Sequence, residues 1–105
     1  MNLVPVNKLK KDDPLYQYSN PKIAQQIAFK TLGPNAILYK SDKPDKKYKY
    51  FNPILNKYQY FGQMLFEDFT KHLDEDRRNR FLNRNKKWAN ADPYSPAFMA
   101  YYIIW

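Results

Sequence analysis

All four arginines of the chain, Arg77, Arg78, Arg80 and Arg84, fall in one short stretch with aromatic residues between and after them. On a helix, which turns about 100° per residue, Arg77, Phe81, Arg84 and Trp88 share one face, with Arg80 and Lys87 beside it. Guanidinium groups donate paired hydrogen bonds to phosphate or carboxylate, and aromatic rings offer stacking surface to bases. Arg77, Arg80, Arg84, Lys86 and Lys87 are therefore candidate contacts for a polyanion or an acidic partner. The pattern also has a purely structural use. Phe81 and Trp88 would face a core, the arginine stems would lie over it, and the guanidiniums would pair with Glu67, Asp68 and Asp74. A second cationic cluster, Lys40, Lys43, Lys46, Lys47 and Lys49, surrounds the stretch DKPD. Lys46 and Lys47 are its candidate polyanion contacts, and a solvated loop tip is the alternative.

Catalytic chemistry has little to work with. Asp68 and His72 stand four residues apart and would hydrogen-bond on one helix face, which reads as a surface pair. No second histidine, glycine-rich turn or spaced metal-binding acids accompany them. The chain has no cysteine, one histidine and two glycines. That composition excludes disulfides, thiolate zinc sites, multi-histidine metal sites and a glycine-rich phosphate loop. No enzyme activity and no cofactor are expected. The net charge of +8 favours nucleic acid, an anionic membrane surface or an acidic protein partner. The beginning of the chain lacks a signal-peptide apolar run. The longest apolar run, AFMAYYIIW, is far short of the roughly 20 residues that span a bilayer. A soluble protein without a membrane span, made in a reducing compartment, is expected.

The elements that must position these residues can be read in order. Residues 1–20, interrupted by Pro5 and Pro14, read as an extended arm. Residues 21–105 read as a single α+β domain. Ser19 or Asn20 caps a helix over Pro21–Leu32, Pro21 suits its first turn and Gly33 its left-handed stop. Ile23, Ile27 and Lys30 share one side of it. Residues 36–41 read as a strand. KYKYF and KYQYFG read as a hairpin, with Asn52-Pro53 opening the turn and Asn56 closing it. Tyr48 and Tyr50 fall on one face of the first run and Tyr58 and Tyr60 on one face of the second, packing the small sheet. After Gly62 the period becomes helical, with Leu65, Phe69 and Leu73 on one side. Asp74 then caps a helix running to about Ala89, acidic at its start and basic at its end. Residues 97–105 form a short helix or strand. The expected fold is a three-stranded antiparallel sheet with about three helices.

Both ends of the chain carry candidate docking residues. Leu3, Val4, Val6 and Leu9 would lie along a neighbour's groove, in an arm that orders only on binding. Removal of residues 1–13 would then leave the melting temperature unchanged. Tyr101, Tyr102 and Trp105 are of the type enriched at interface centres, in a tail that buries itself in its own core or in a partner.

The string YKYFNP…NKYQYFGQMLFEDFTKHLDEDRRNRFLNRNKKW…YSPAFMAYYIIW resembles a family of small, basic proteins of nucleocytoplasmic large DNA viruses. The resemblance spans residues 47–105 and is carried by Phe61-Gly62, the stretch from Phe66 to His72, the stretch from Glu75 to Arg78, Trp88, and Ile103-Ile104-Trp105. Phenylalanine stands at Phe66 and Phe69 where tyrosine is common, and Leu65 where glycine is common. The resemblance implies a viral gene product, made in the host cytoplasm and located in the virion. It implies a minor capsid or cement component whose partners are major or other minor capsid proteins, or a second copy of the chain. The alternative is a DNA-binding, genome-condensing core protein.

Overall fold

The computed structural model describes residues 3–105. Met1 and Asn2, part of the expected arm, lie outside the described residues. The fold is α+β. Strands β1 (Leu38–Lys40), β2 (Lys46–Asn52) and β3 (Lys57–Gln63) form an antiparallel sheet in the order β1-β2-β3. Leu38 pairs with Tyr50, and Tyr48 with Phe61. Alternate residues point to opposite faces, so Leu38, Tyr48, Tyr50 and Phe61 share the core face, each at most 2% exposed. The Tyr48 and Phe61 rings stack at 5.1 Å, and Tyr50 meets Phe61 edge-on at 5.5 Å. Tyr58 and Tyr60 pair with Phe51 and Lys49, on the face opposite Tyr48 and Tyr50. The hairpin turn follows from its two asparagines. The Asn52 side chain accepts from the Ile54 and Leu55 amides at 3.0 and 3.2 Å, and Asn56 takes φ 55°, a conformation asparagine tolerates.

Helix α1 (Pro21–Leu32) begins with the Asn20 side chain accepting from the Ile23 amide. It ends at Gly33, whose φ of 101° suits only glycine. Its core face is Ala24, Gln25 and Ala28, with Ile27 half-buried. Ile23 is half-buried like Ile27, and Lys30 is exposed. Small side chains let the helix sit close to its neighbours. The buried Gln25 amide donates to the Ala36 carbonyl and accepts from the Leu38 amide, each at 2.8 Å. That double contact fastens α1 to β1.

The extended, free arm is not what residues 3–20 form. Two 3-10 turns, Val6–Lys8 and Pro14–Gln17, wrap the segment onto the domain. Val6 and Leu15 are core residues and Leu9 packs against that core. The Val4 carbonyl accepts from the Lys40 amide at 2.8 Å, and Pro5 bridges to Tyr39. The backbone thus covers part of the β1 edge, which would otherwise present unpaired groups.

The apolar spacing of Leu65, Phe69 and Leu73 does not produce the long helix expected after Gly62. Leu65 and Leu73 take φ 75° and 54° and are 72% and 60% exposed. Only α2 (Phe69–His72) is helical there. The left-handed backbone at Leu65 is a conformation that glycine adopts without strain and a leucine rarely does. Helix α3 (Glu75–Arg84) is capped by Asp74, whose carboxylate accepts from the Asp76 and Arg77 amides at 3.0 and 3.2 Å. It stops at Asn85 rather than near Ala89, because the Asn85 side-chain amide and backbone amide both donate to the Phe81 carbonyl. A 3-10 turn, Lys86–Asn90, follows. The tail is helix α4 (Pro96–Met99), capped by Ser95 and continued by a π-helical turn, Ala100–Ile104. Met99, Ile103 and Ile104 fill the core.

One buried polar node joins three segments. The Lys47 ammonium, almost fully buried, donates to Asp68 Oδ2 at 3.0 Å, to the Tyr18 carbonyl at 3.0 Å and to the Phe66 carbonyl at 2.5 Å. The Thr70 hydroxyl donates to Asp68 Oδ1 and accepts from the Asn20 amide at 2.9 Å. Ser19 Oγ lies 2.6 Å from the Tyr48 hydroxyl and 3.1 Å from Thr70 Oγ1. Gly62 makes room for the lysine. A Cβ there would lie 3.1 Å from Lys47 Cβ and 3.2 Å from Ile104 Cδ1, on a backbone with φ 82°.

Two stability measurements check this architecture. Asp68→Ala leaves the Lys47 charge buried without its counter-ion and should cost about 3–5 kcal/mol in chemical denaturation. Removal of residues 1–13 takes Val6 out of the core, a loss of about 1.5–3 kcal/mol for that side chain alone. The melting temperature should therefore fall by roughly 10 °C. An unchanged melting temperature would return the segment to the status of a free arm.

Candidate functional site

A groove of about 720 Å³ runs between α3, the start of β2, the end of β3 and the tail helix. Helix α3 delivers Arg77, Arg80, Phe81 and Arg84 to it, because residues three, four and seven apart return to one helix side. β2 adds Lys46, and the turn after α3 adds Trp88. Phe81 stacks on Trp105 at 4.1 Å with the planes 6° apart, and Trp88 meets Phe81 edge-on at 6.0 Å. The Trp105 ring lies 5.3 Å from that of His72. Four of the seven residues singled out for polyanion contact, Arg77, Arg80, Arg84 and Lys46, thus line one aromatic-walled groove.

The others are placed differently. Lys86 and Lys87 are exposed on the 3-10 turn and do not line the groove. The Lys47 stem reaches the groove, but its ammonium is enclosed by Asp68 and two carbonyls and cannot meet a polyanion. Burial pushes that ammonium below its usual pKa, and Asp68 opposes the shift. The neighbouring lysines are engaged as well. Lys40 pairs with Asp13 at 2.7 Å, Lys49 with Asp42 at 3.6 Å, and Lys43 lies 4.3 Å over the Tyr60 ring. Of the candidate docking residues, Val6 is buried, Leu3 and Leu9 are half-buried and Val4 is exposed. Tyr101 is half-buried. Tyr102 is exposed and donates to the Ala89 carbonyl at 2.8 Å, and Trp105 is held by Phe81.

Arg77 pairs with Glu67 at 3.6 Å, a contact worth little at the surface. Arg80, Arg84 and Lys46 form no ion pair among the described residues. Arg78 has a structural part. Its Nε donates to the Trp105 carbonyl at 2.7 Å and its guanidinium lies 4.7 Å over the Phe69 ring. Phe66, not singled out from the sequence, also lines the groove and is 65% exposed. The helical spacing of its neighbours concealed it, because that spacing places Phe66 beside Leu65 and Phe69 on a buried side. Asp68 and His72 do not form the expected pair either, since Asp68 turns to Lys47. Among the described residues no group of three or more histidines and acids could hold a metal ion. No helix among them is long and apolar enough to cross a membrane.

His72 Nδ1 accepts from the Asp74 amide at 2.9 Å, which puts the proton of the neutral ring on Nε2. Nε2 is buried without a hydrogen-bond partner among the described residues. Burial first, and then the nearby Arg77 charge, push the His72 pKa below its ordinary 6.5. The unfolded chain therefore binds a proton that the folded chain refuses, between the folded pKa and 6.5. Stability should be level above about pH 6.5 and fall as the pH drops through that window. Carboxylates titrate lower, and amide hydrogen bonds hold Asp74 below its ordinary 3.8. An NMR titration should place His72 below 6.5. Unfolding midpoints between about pH 5 and 7 should slope in the wild type and flatten in His72→Phe. A midpoint at or above 6.5 would contradict the burial of the ring.

Residues 36–85 are similar to a family of unknown function, DUF5754, whose model they match. That span covers the sheet, α2 and α3, and so includes Lys46, Phe66, Arg77, Arg80 and Arg84, while Trp88 and Trp105 lie beyond it. No curated protein and no solved structure matches the chain.

Proposed function

We propose that the protein is a non-enzymatic nucleic-acid-binding protein that grips the phosphate backbone in the groove of α3. The single observation carrying this reading is the convergence of Arg80, Arg84 and Lys46, none of them ion-paired among the described residues, on one aromatic-lined groove. A net charge of +8 adds long-range attraction for the same ligand. The resemblance to small basic proteins of large DNA viruses makes a genome-associated role in the virion the natural setting. The packing of residues 3–20 onto the domain removes the free arm on which a cement role would lean most.

A second reading, a minor capsid component, has one observation in its favour. The hairpin tip exposes Ile54 and Leu55 at 63% and 55%, an apolar point suited to a pocket on a neighbouring shell protein.

A salt titration decides between them. Four groove cations, Arg77, Arg80, Arg84 and Lys46, imply a log–log slope of roughly −3 to −4 on nucleic acid. Arg80→Ala and Arg84→Ala should each flatten that slope by about 0.7–0.9. Absence of binding at about 50 mM salt would remove the nucleic-acid reading and leave the capsid one.

A further inference from the structure

We infer that the strand held in the groove is single, with bases stacked on Phe66 and Trp88 while the arginines hold its phosphates. This rests on the nucleic-acid reading above and adds the form of the ligand.

The first argument is which rings are free. Phe81 and Trp105 lie face to face at 4.1 Å and already occupy each other. Phe66 makes no ring contact among the described residues and projects into water at 65% exposure. An isolated exposed phenylalanine is unremarkable by itself. Here its backbone is fixed on three sides. Its carbonyl accepts from the buried Lys47 ammonium at 2.5 Å. The residue before it is held at φ 75°. Two residues on, the Asp68 amide donates to the Tyr18 carbonyl at 3.1 Å. The core thus presents the ring on a rigid base, so a stacking partner would find it already ordered. Trp88 touches Phe81 only edge-on and also lines the groove.

The second argument is the kind of charge beside those rings. Among the described residues Glu67 is the one acid lining the groove, and it is paired with Arg77. Arg80 and Arg84 remain to meet phosphate. Arginines with interleaved aromatics suit a strand whose bases are unstacked from a partner, because every base then has a face to offer. A duplex keeps its base faces against one another and would leave Phe66 and Trp88 with nothing to stack on. An inorganic polyanion would do the same.

The test uses the full chain and three probes: a single-stranded oligonucleotide of about ten nucleotides, the same sequence annealed as a duplex, and inorganic polyphosphate. Fluorescence anisotropy of the labelled strand should show the strand bound more tightly than the duplex. Phe66→Ala, a surface change, should weaken the strand by about 5- to 100-fold. It should leave the salt slope, the duplex and polyphosphate unchanged. In Trp105→Phe, which leaves Trp88 as the reporter, the strand should quench tryptophan emission and polyphosphate should not. Equal affinity for all three probes, with Phe66→Ala indifferent, would overturn this inference and leave the phosphate-gripping reading in place. Binding of none of the probes would overturn both.

Discussion

The Lys47–Asp68 pair is the contact on which the remaining architecture turns. An ammonium and a carboxylate removed from water are tolerated only when every remaining hydrogen-bonding position is filled. Lys47 therefore draws in the Tyr18 and Phe66 carbonyls, and Asp68 draws in Thr70. Those demands bring together the 3–20 segment, the middle strand and the stretch between β3 and α2. The same node limits what can stand at Gly62, where a Cβ would come within 3.1 Å of the Lys47 Cβ on a left-handed backbone. It also explains why Leu65 accepts a left-handed backbone, since the chain must turn there to put the Phe66 carbonyl on the ammonium.

The groove follows from this node at second hand. Once the Phe66–Asp68 stretch is pinned, α2 is short, and Asp74 starts α3 six residues after Asp68. Helix α3 is then held from beneath by the tail. Trp105 stacks on Phe81 and its carbonyl accepts from Arg78. No residue of α3 is fully buried, so this helix depends on one aromatic stack, its cap and the Arg78 contact more than on core packing. Such an element opens at low free energy. The His72–Asp74 hydrogen bond at its start makes its attachment sensitive to protonation.

The sequence was most readable where a local rule sufficed. Asn20, Pro21 and Gly33 set the ends of α1, Asn52 and Asn56 set the hairpin, and Asp74 started α3, each through its own side chain or its own φ. It was least readable where a distant residue decided. The helical spacing of Leu65, Phe69 and Leu73 was overridden because Lys47, far away in the chain, needed Asp68. The 3–20 segment looked free because Val6 and Leu15 are too few to suggest a core, yet both are buried in the same core as Ala24 and Ala28 of α1. Arg77, Arg80 and Arg84 were legible as a group from their helical period. Phe66 was not, because its exposure depends on the non-helical turn at Leu65.

The charge of the groove has a cause in how the chain uses its acids. The ten acidic residues are outnumbered by eighteen lysines and arginines, so their placement decides where positive charge is left over. Asp13 caps the second 3-10 turn and also holds Lys40. Asp42 holds Lys49, Asp68 holds Lys47, and Asp74 caps α3. Glu75 pairs with Arg78 on the side of α3 away from the groove lining. Each of these acids serves a cap or a neighbouring lysine or arginine, and among the described residues Glu67 alone lines the groove. Arg80 and Arg84 on α3 and Lys46 on β2 are left lining it with no ion pair among the described residues, and like charges gathered in one place repel one another. Folding gains nothing from that repulsion, and the bound phosphate chain we propose would relieve it.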